Sequence, residues 1–252
     1  MGLFSLEGKV SVVTGASRGI GRAIALGLAD AGSNVAVAAR TESDLETLVK
    51  EIEGLGRKAL SVPTDVLDRT AIETLLDRAI DELGGLDVLV NNAGGTRFVA
   101  PITTLRPEGW DKVIDLNLNA VFHATQLAAQ RMIDRGGGSI IQISSVAGVQ
   151  GAEGLSFYSA AKAGVRLMTQ AVARELASSG VRLNSIAPGW IATDLNANMW
   201  SDEGIRQSME DMIPMGRFGR AEEIVGPAVF LASDAASFVT GATLVVDGGQ
   251  LA

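Results

Sequence analysis

Tyr158 is the only tyrosine of the chain, and Lys162 follows it by four residues in a segment with helical periodicity. This spacing places both side chains on one face of a helix. A lysine ammonium about 4 Å from a phenol oxygen favours the phenolate by ~4 kcal/mol at an effective dielectric constant of about 20. That energy equals roughly three pKa units, so we expect the pKa of Tyr158 to fall from about 10 towards 7. A phenol that titrates near 7 can act as a general acid or base at cellular pH.

Two serines lie close to this pair in the predicted fold. Ser144 and Ser145 follow the apolar segment 139–143, which we predict to be a strand. Ligands of open parallel sheets lie at the carboxyl ends of the strands. A serine hydroxyl at such an end can donate a hydrogen bond to a carbonyl oxygen. The segment 91–94, with the sequence Asn-Asn-Ala-Gly, follows another predicted strand and brings small residues and amides to the same edge.

A glycine-rich turn follows the first apolar segment, with Gly15, Gly19 and Gly21 in the pattern G-x-x-x-G-x-G. Glycines allow a tight turn and let a phosphate approach the main chain. A helix that begins at Gly19 would point its free N–H groups and its positive dipole end at that anion. At the first strand–helix junction of a doubly wound sheet, the pattern predicts a dinucleotide site.

The residue after the second apolar segment indicates which dinucleotide is bound. Sites selective for NAD usually place Asp or Glu there, to bind the ribose 2′-hydroxyl. Here the segment ends at Ala39 and Arg40 follows. A guanidinium can bind a 2′-phosphate with two hydrogen bonds, and Arg18 could reach the same phosphate. We therefore expect NADP(H) rather than NAD(H).

The same turn also matches G-x-S-x-G, the nucleophile elbow of α/β-hydrolases. That interpretation would make Ser17 a nucleophile and His123 its base. It is disfavoured because an earlier strand–helix loop must supply oxyanion-hole donors, and too short a segment precedes this first strand. We expect His123 instead to be a core or interface residue.

The elements that must position these groups alternate along the chain. Short apolar runs, here of three to six residues and bounded by turn residues, are typical of strands buried on both faces of a parallel sheet. They lie at residues 10–13, 34–39, 59–62, 86–90, 139–143, 182–186 and 244–246. Helical periodicity covers residues 19–31, 43–55 and 68–83, among others. This alternation predicts a Rossmann-type, doubly wound, mainly parallel seven-stranded α/β sheet, in a single domain over residues 1–252.

Composition excludes several other classes of protein. The chain has 252 residues, no cysteine and one histidine, which rules out Cys/His zinc sites, thiol nucleophiles and disulfides. No metal site is predicted. The net charge of −8 argues against nucleic-acid binding. The longest apolar stretch, residues 224–232, is too short to span a membrane, so we expect a cytoplasmic protein.

Taken together, these motifs resemble the short-chain dehydrogenase/reductase family over nearly the whole chain. The matching elements, in family order and spacing, are residues 14–21, 65–66, 91–94, Asn117, Ser145, 158–162, 188–189 and 247–249. The resemblance implies hydride transfer between a nicotinamide cofactor and a carbonyl carbon.

The family's roles carry over to matching positions of this chain. Tyr158 would be the proton donor in reduction and the base in oxidation. Lys162 would lower its pKa and hold the nicotinamide ribose, Ser145 would polarise the substrate carbonyl, and Asn117 would hold a water in the proton relay. The cofactor-binding residues would be Gly15, Ser17, Arg18, Gly19, Ile20, Gly21, Arg40, Asp65, Val66, Asn91, Ala93, Gly94, Tyr158, Lys162, Pro188, Gly189, Ile191 and Thr193.

The substrate is less well defined by the sequence. We interpret the irregular segment 189–215 as a substrate flap; its apolar residues, which would suit a hydrophobic substrate, are Trp190, Met199, Trp200, Met209, Met212 and Met215. Its acidic residues disfavour an acidic carrier protein. The resemblance is strongest to 3-oxoacyl-carrier-protein reductases, and the alternative is a sugar or polyol dehydrogenase of the gluconate or glucose type. A non-catalytic dinucleotide-binding protein is a remote third possibility, because it would not need Ser145, Tyr158 and Lys162 together.

Family members usually form tetramers through their long helices. The apolar faces of segments 110–132 and 160–176 are compatible with such contacts. We therefore expect a homotetramer that acts on a small molecule, without nucleic-acid or membrane partners.

Overall fold

The structure is a computed structural model that describes residues 2–252, apart from the side chains of Asn198 and Met199. Met199, which the sequence assigns to the flap, therefore has a side chain outside the described part. No helix within residues 2–252 combines the length and the apolar composition that crossing a bilayer requires.

One parallel sheet of seven strands runs through the molecule, in the order β3-β2-β1-β4-β5-β6-β7. The strands are β1 (Val10–Thr14), β2 (Asn34–Ala39), β3 (Ala59–Pro63), β4 (Val88–Asn91), β5 (Gly138–Ile143), β6 (Val181–Pro188) and β7 (Thr243–Val246). The predicted doubly wound sheet is confirmed. β4 begins two residues later than predicted because Asp87 pairs with the start of β1: its carboxylate accepts from the Val10 N–H at 2.8 Å.

Nine α-helices accompany the sheet. They are α1 (Gly19–Asp30), α2 (Glu42–Gly54), α3 (Arg69–Leu83), α4 (Pro107–Ile114), α5 (Ala120–Asp134), α6 (Ser156–Leu176), α7 (Ala197–Trp200), α8 (Glu203–Glu210) and α9 (Val225–Ala232) within the described residues. The apolar segment 110–132 is not one regular helix. A π-helical turn, Asp115–Asn119, separates α4 from α5, and it carries Asn117. The predicted flap is also less irregular than expected, since it contains α7 and α8.

Each face of the sheet has its own hydrophobic core, because successive strand residues point to opposite faces. Val13 and Val35 face α1, α2 and α9. Val12 and Ala36 face α3, α5 and α6. Strands buried on both faces explain why the sequence shows continuous apolar runs rather than alternation.

The strand order places the site. The chain winds outwards from β1 to β3 and then crosses back, so that β4 lies on the other side of β1. The crevice at this switch point, beyond the carboxyl ends of β1 and β4, is where open α/β sheets bind their ligands.

Candidate functional site

The glycine turn between β1 and α1 lies directly against the end of β4. Gly15 has φ +64°, in the left-handed region, and a Cβ there would lie 2.8 Å from Ala93 Cα. Gly19 also has a positive φ, +55°. No side chain caps the N-terminus of α1, and its first turn contains no acidic residue. The helix therefore presents free N–H groups and a positive dipole end, which suit a phosphate.

Thr14 and Asn92 hold this turn in place, a role that the sequence alone did not indicate for either residue. The Thr14 hydroxyl oxygen accepts from the N–H groups of Asn92 and Ala93, both at 3.1 Å. In return, the Asn92 side-chain amide donates to the carbonyl oxygens of Thr14 and Gly15 at 2.9 and 3.0 Å. The feature of the sequence that could have indicated this role is the position of both residues at the ends of two neighbouring strands.

Asn91 differs from its neighbours because its side chain is turned away from the crevice. It is buried, and its amide donates to Thr125 Oγ1 at 3.3 Å on α5. Gln142 Nε2 donates to the same Thr125 oxygen at 2.7 Å. The sequence predicts Asn91 at the cofactor; in the structure its side chain braces β4, β5 and α5 instead, and only its main chain lies at the site edge.

Tyr158 and Lys162 lie one turn apart on α6, with Lys162 Nζ 5.7 Å from the Tyr158 ring centroid. Lys162 is only 3% exposed, and its ammonium donates to the Ile143 carbonyl at the end of β5 at 2.9 Å. The helix thereby places the predicted pair at the carboxyl end of the sheet.

The expected lowering of the Tyr158 pKa is wrong for this structure. Burial raises the pKa of Tyr158 to about 12, against a smaller downward effect of the nearby Ser145 side chain. Burial also lowers the pKa of Lys162 to about 8, so the side chain stays mostly charged at pH 7 and loses its proton in the mildly alkaline range. Removal from water is the largest cause of both pKa shifts. At neutral pH the phenol is protonated, the state that a proton donor needs.

The two adjacent serines have different contacts. Ser145 begins a short 3₁₀ turn, Val146–Gly148, and its Oγ accepts from the Ala147 N–H at 3.1 Å. The same side chain lies near enough to the Tyr158 phenol to exert a downward effect on its pKa. Ser144 is buried, and its hydroxyl donates to the Lys162 main-chain carbonyl at 3.1 Å. Of the two, Ser145 therefore has its hydroxyl beside the phenol.

Asn117 connects the π-helical turn to the loop after β4. It is fully buried; its amide donates to the Gly95 and Val113 carbonyls, both at 3.0 Å, and its oxygen accepts from the Gly95 N–H at 2.7 Å. A Cβ on Gly94 would lie 2.8 Å from Asn117 Oδ1 and 3.3 Å from Lys162 Nζ. Asn117 and Lys162 thus meet at a position where only glycine fits.

The residues predicted at the adenosine end lie on the outer part of the crevice. Arg18 and Arg40 are exposed, and neither guanidinium forms an ion pair within the described part of the chain. The Asp65 carboxylate accepts from the Leu67 N–H at 3.1 Å, which fixes the turn after β3, and Val66 is half-buried. Ser17 and Ile20, both half-buried, complete the glycine turn.

The segment after β6 folds back over the crevice. Pro188 is the last residue of β6, and a Cβ on Gly189 would lie 2.8 Å from Asp247 Cα. Beyond the buried Ile191, Thr193 approaches the glycine turn, with its methyl group 3.3 Å from a Cβ built on Gly19. Leu195 lies over Gly95, where a Cβ would be 2.8 Å from Leu195 Cδ2. The flap therefore meets the glycine turn and the loop after β4.

The hydrolase alternative receives no support from the geometry. The His123 ring on α5 packs beside Phe122, and its Nδ1 lies 3.2 Å from Arg69 Nη1 on α3. Among residues 2–252 no hydrogen bond joins it to Ser17. The predicted packing role of His123 fits these contacts better than a catalytic one.

Comparison with known proteins agrees with this arrangement. A family model described as enoyl-(acyl carrier protein) reductase matches residues 15–250. The chain is 43% identical over 244 residues to a 3-oxoacyl-[acyl-carrier-protein] reductase of Thermotoga maritima, covering 97% of this chain and 98% of that protein. It is 42% identical over 250 residues to a 2-dehydro-3-deoxy-D-gluconate 5-dehydrogenase of Escherichia coli, covering 99% and 98%.

A solved structure extends the likeness to three dimensions. A gluconate 5-dehydrogenase from Burkholderia cenocepacia, in complex with NADP and tartrate, matches with a TM-score of 0.93 and 36% identity, covering 99% of this chain and 97% of that one. The relatives, the sheet order and the grouping of Ser145, Tyr158 and Lys162 all agree. The chain belongs to the short-chain dehydrogenase/reductase family.

Proposed function

We propose that the protein is an NADP(H)-dependent oxidoreductase that interconverts a ketone and a secondary alcohol. The observation that carries this proposal is the convergence of Ser145, Tyr158 and Lys162 beside Gly94, at the carboxyl edge of the sheet. A structural protein would have no need for a protonated phenol, a serine hydroxyl and a buried lysine at one point. A non-catalytic dinucleotide-binding protein would need only the glycine turn.

The residues of the crevice fit a nicotinamide dinucleotide. The uncapped N-terminus of α1 suits its diphosphate, and the turn before this helix has no side chain at Gly15 or Gly19 that could block the approach. Arg40, exposed and unpaired among the described residues, suits a ribose 2′-phosphate, which favours NADPH over NADH. When bound, the reduced cofactor supplies the hydride that reduces the carbonyl carbon.

The chain itself supplies the proton and the orientation. The Tyr158 Oη–H, protonated at neutral pH, can give its proton to the carbonyl oxygen as the alcohol forms. The Ser145 hydroxyl, beside the same phenol, can donate a hydrogen bond to that oxygen. The buried Lys162 ammonium is held by its hydrogen bond to the Ile143 carbonyl, and from there it can reach ribose hydroxyls. We propose that the main-chain carbonyl of Asn117, in the π-helical turn, accepts a hydrogen bond from a water of the proton relay.

We propose a β-keto compound with an apolar chain as the substrate. Phe98 stacks on Phe157 with ring centroids 4.7 Å apart, directly before Tyr158, and Phe98 remains 40% exposed. Leu195 and Met215 of the flap are exposed as well. Apolar, adaptable walls of this kind suit an acyl chain.

The basic residues that could dock a carrier protein are largely engaged elsewhere. Arg131 pairs with Asp77 at 2.7 Å, and Arg135 donates to the Gly84 carbonyl at 2.8 Å. Arg206 is the one basic residue of the flap, and it lies within 4.0 Å of both Glu203 and Glu210. We therefore propose that the substrate is a free thioester, ester or ketone rather than a carrier-bound one.

One observation favours the sugar-acid alternative. Arg97 is exposed on the turn between Gly95 and Phe98, and among the described residues it forms no ion pair. A guanidinium at the mouth of the site could bind the carboxylate of a keto-acid. If so, Arg97→Gln should raise the KM for 5-ketogluconate about tenfold and leave the KM for a neutral ketone ester unchanged.

The test of the proposed function follows reduced-nicotinamide absorbance with NADPH and NADH in parallel. The substrates are a 3-oxoacyl thioester, a hydrophobic ketone ester and 5-ketogluconate. We expect NADPH-dependent reduction of the first two. Reduction of the keto-sugar alone would favour the alternative, an NADH preference would contradict the role of Arg40, and no turnover of any carbonyl would contradict the proposal.

We also propose that the protein assembles as a homotetramer. Phe122 on α5 and Leu167 on α6 are 44% and 58% exposed, on the two helices whose apolar faces the sequence marks for association. Burying such side chains against a second copy would remove apolar area from water. Light scattering coupled to size-exclusion chromatography should give four times the chain mass, and a monomer mass would contradict this assembly.

A further inference from the structure

Two hydrogen bonds of opposite direction join the end of β5 to α6. The Lys162 ammonium donates to the main-chain carbonyl of Ile143 at 2.9 Å. One residue further on, the Ser144 hydroxyl donates to the main-chain carbonyl of Lys162 at 3.1 Å. Both side chains are 3% exposed, so water does not compete for either bond. Lys162 therefore binds the main chain at the end of β5, and Ser144 binds the main chain of α6.

A second contact presses the same two segments together. A Cβ built on Gly148 would lie 2.6 Å from the carbonyl carbon of Lys162, so the 3₁₀ turn after Ser145 rests directly on that peptide unit. Ser144 is also held from the sheet side, since its N–H donates to the Ile186 carbonyl at 2.7 Å. Ser144 thus links β6, β5 and α6.

The linked segments carry the groups whose mutual distance matters for proton transfer. Ser145 directly follows Ser144, and Tyr158 lies one helical turn before Lys162. Whatever fixes residue 144 against the peptide of residue 162 also fixes Ser145 against the Tyr158 phenol. Misplacement of reacting groups by about 1 Å can lower a rate by about 10²-fold.

We propose that Ser144 is a positioning residue: through its bond to the Lys162 carbonyl it sets the distance between the Ser145 hydroxyl and the Tyr158 phenol. Ser144 touches neither substrate nor cofactor in this account. The proposal rests on the proposed function, because it assigns Ser144 to the carbonyl reduction described above.

The chain offers a matched control on the same strand. The Ser139 hydroxyl also donates to a main-chain carbonyl, Leu231 O at 2.8 Å, and Ser139 is 2% exposed. Ser139→Ala therefore removes the same kind of buried hydrogen bond from the opposite end of β5. Any loss of stability common to both variants reports the hydrogen bond itself, at about 1 kcal/mol.

The experiment compares Ser144→Ala, Ser144→Thr and Ser139→Ala with the unaltered protein. We expect Ser144→Ala to lower kcat about tenfold with an unchanged KM for NADPH, Ser144→Thr to restore most of the rate, and Ser139→Ala to keep the full kcat. Equal kcat values and pH profiles for the two alanine variants, at similar melting temperatures, would overturn the proposal.

A second readout does not need activity. Because Tyr158 is the only tyrosine, tyrosinate absorbance after rapid pH jumps reports its ionisation alone. Ser144→Ala should loosen the packing around the phenol and move the midpoint down towards the ordinary value near 10, whereas Ser139→Ala should not. Identical midpoints in both variants would overturn the positioning role even if no carbonyl were turned over; absence of turnover would separately contradict the proposed function.

Discussion

The side-chain amide of Asn92 donates a hydrogen bond to the main-chain carbonyl of Gly15 at 3.0 Å. This bond joins the loop after β4 to the turn after β1, the two strands that flank the switch point of the sheet. The glycine turn is therefore not a free loop. It is held from the neighbouring strand end, which fixes the N–H groups that would face a diphosphate.

Gly21 packs tightly against Asn92 and the Gly15 carbonyl. Substituting Gly21 should therefore abolish dinucleotide binding. A Cβ at Gly21 would overlap Asn92 Nδ2 and the Gly15 carbonyl oxygen. We expect Gly21→Ala to displace the turn, to lose NADPH binding and to destabilise the fold by about 1–3 kcal/mol. Fluorescence titration with NADPH and denaturant unfolding measure the two effects.

Gly226 provides the control for that substitution. It lies on α9, with nothing within 4 Å of a Cβ built on it. Gly226→Ala should bind NADPH normally and change the stability by less than about 1 kcal/mol, because the gain in helix propensity is opposed by the clash of a Cβ with the ring of Pro227. Normal NADPH binding by Gly21→Ala would show that the turn does not contact the cofactor as we describe.

Arg40 should determine the preference between the two cofactors. Because its guanidinium is exposed and suited to a 2′-phosphate, Arg40→Ala should weaken NADPH binding about tenfold or more, while NADH binding should not change. Dissociation constants for both cofactors on one protein preparation give the comparison. A parallel loss for both would place Arg40 outside the phosphate site.

Lys162 should make stability depend on pH in a defined window. Burial lowers its pKa from 10.5 to about 8, so the folded state disfavours the charged form. That penalty, about 3 kcal/mol, is fully present below pH 8 and disappears as the pH rises to 10.5, where the unfolded chain also loses the proton. A variant without the lysine escapes this penalty but also loses the hydrogen bond to Ile143 O, which offsets about 1 kcal/mol of the gain in stability.

Lys162→Met should accordingly be more stable than the unaltered protein at pH 7, by about 2 kcal/mol, and should lose this advantage towards pH 10.5. Denaturant unfolding of both proteins across this range, at equal concentration and without cofactor, measures the difference. A stability gap that does not change with pH would contradict the burial of a charged lysine.

Much of the fold was predictable because its strands are easily recognised in the sequence. Strands buried on both faces leave continuous apolar runs, and all seven were found within two residues of their observed starts. The π turn at Asp115–Asn119 was not predictable, because it depends on the side chain of Asn117 bonding across to Gly95 rather than on any local preference. Without that tertiary contact, residues 110–132 read as one regular helix.

The site was predictable in residue type but not in electrostatics. The spacing of Tyr158 and Lys162 correctly put both on one helix face, yet it cannot report burial, which reverses the direction of the Tyr158 pKa shift. The orientation of Asn91 away from the crevice also depended on a partner, Thr125, far along the chain. The different positions of the Ser144 and Ser145 hydroxyls, one on the Lys162 carbonyl and the other beside the Tyr158 phenol, likewise depend on contacts with α6.

In the proposed reaction, the Tyr158 phenol donates the proton during carbonyl reduction. The most direct measurement is the turnover of Tyr158→Phe with NADPH and a ketone ester, beside NADPH binding to the same variant. We predict that kcat falls by at least about 10²-fold while NADPH binding is retained, because only the hydroxyl is removed. Turnover within about tenfold of the unaltered protein, with binding intact, would contradict the assignment of Tyr158 as the proton donor.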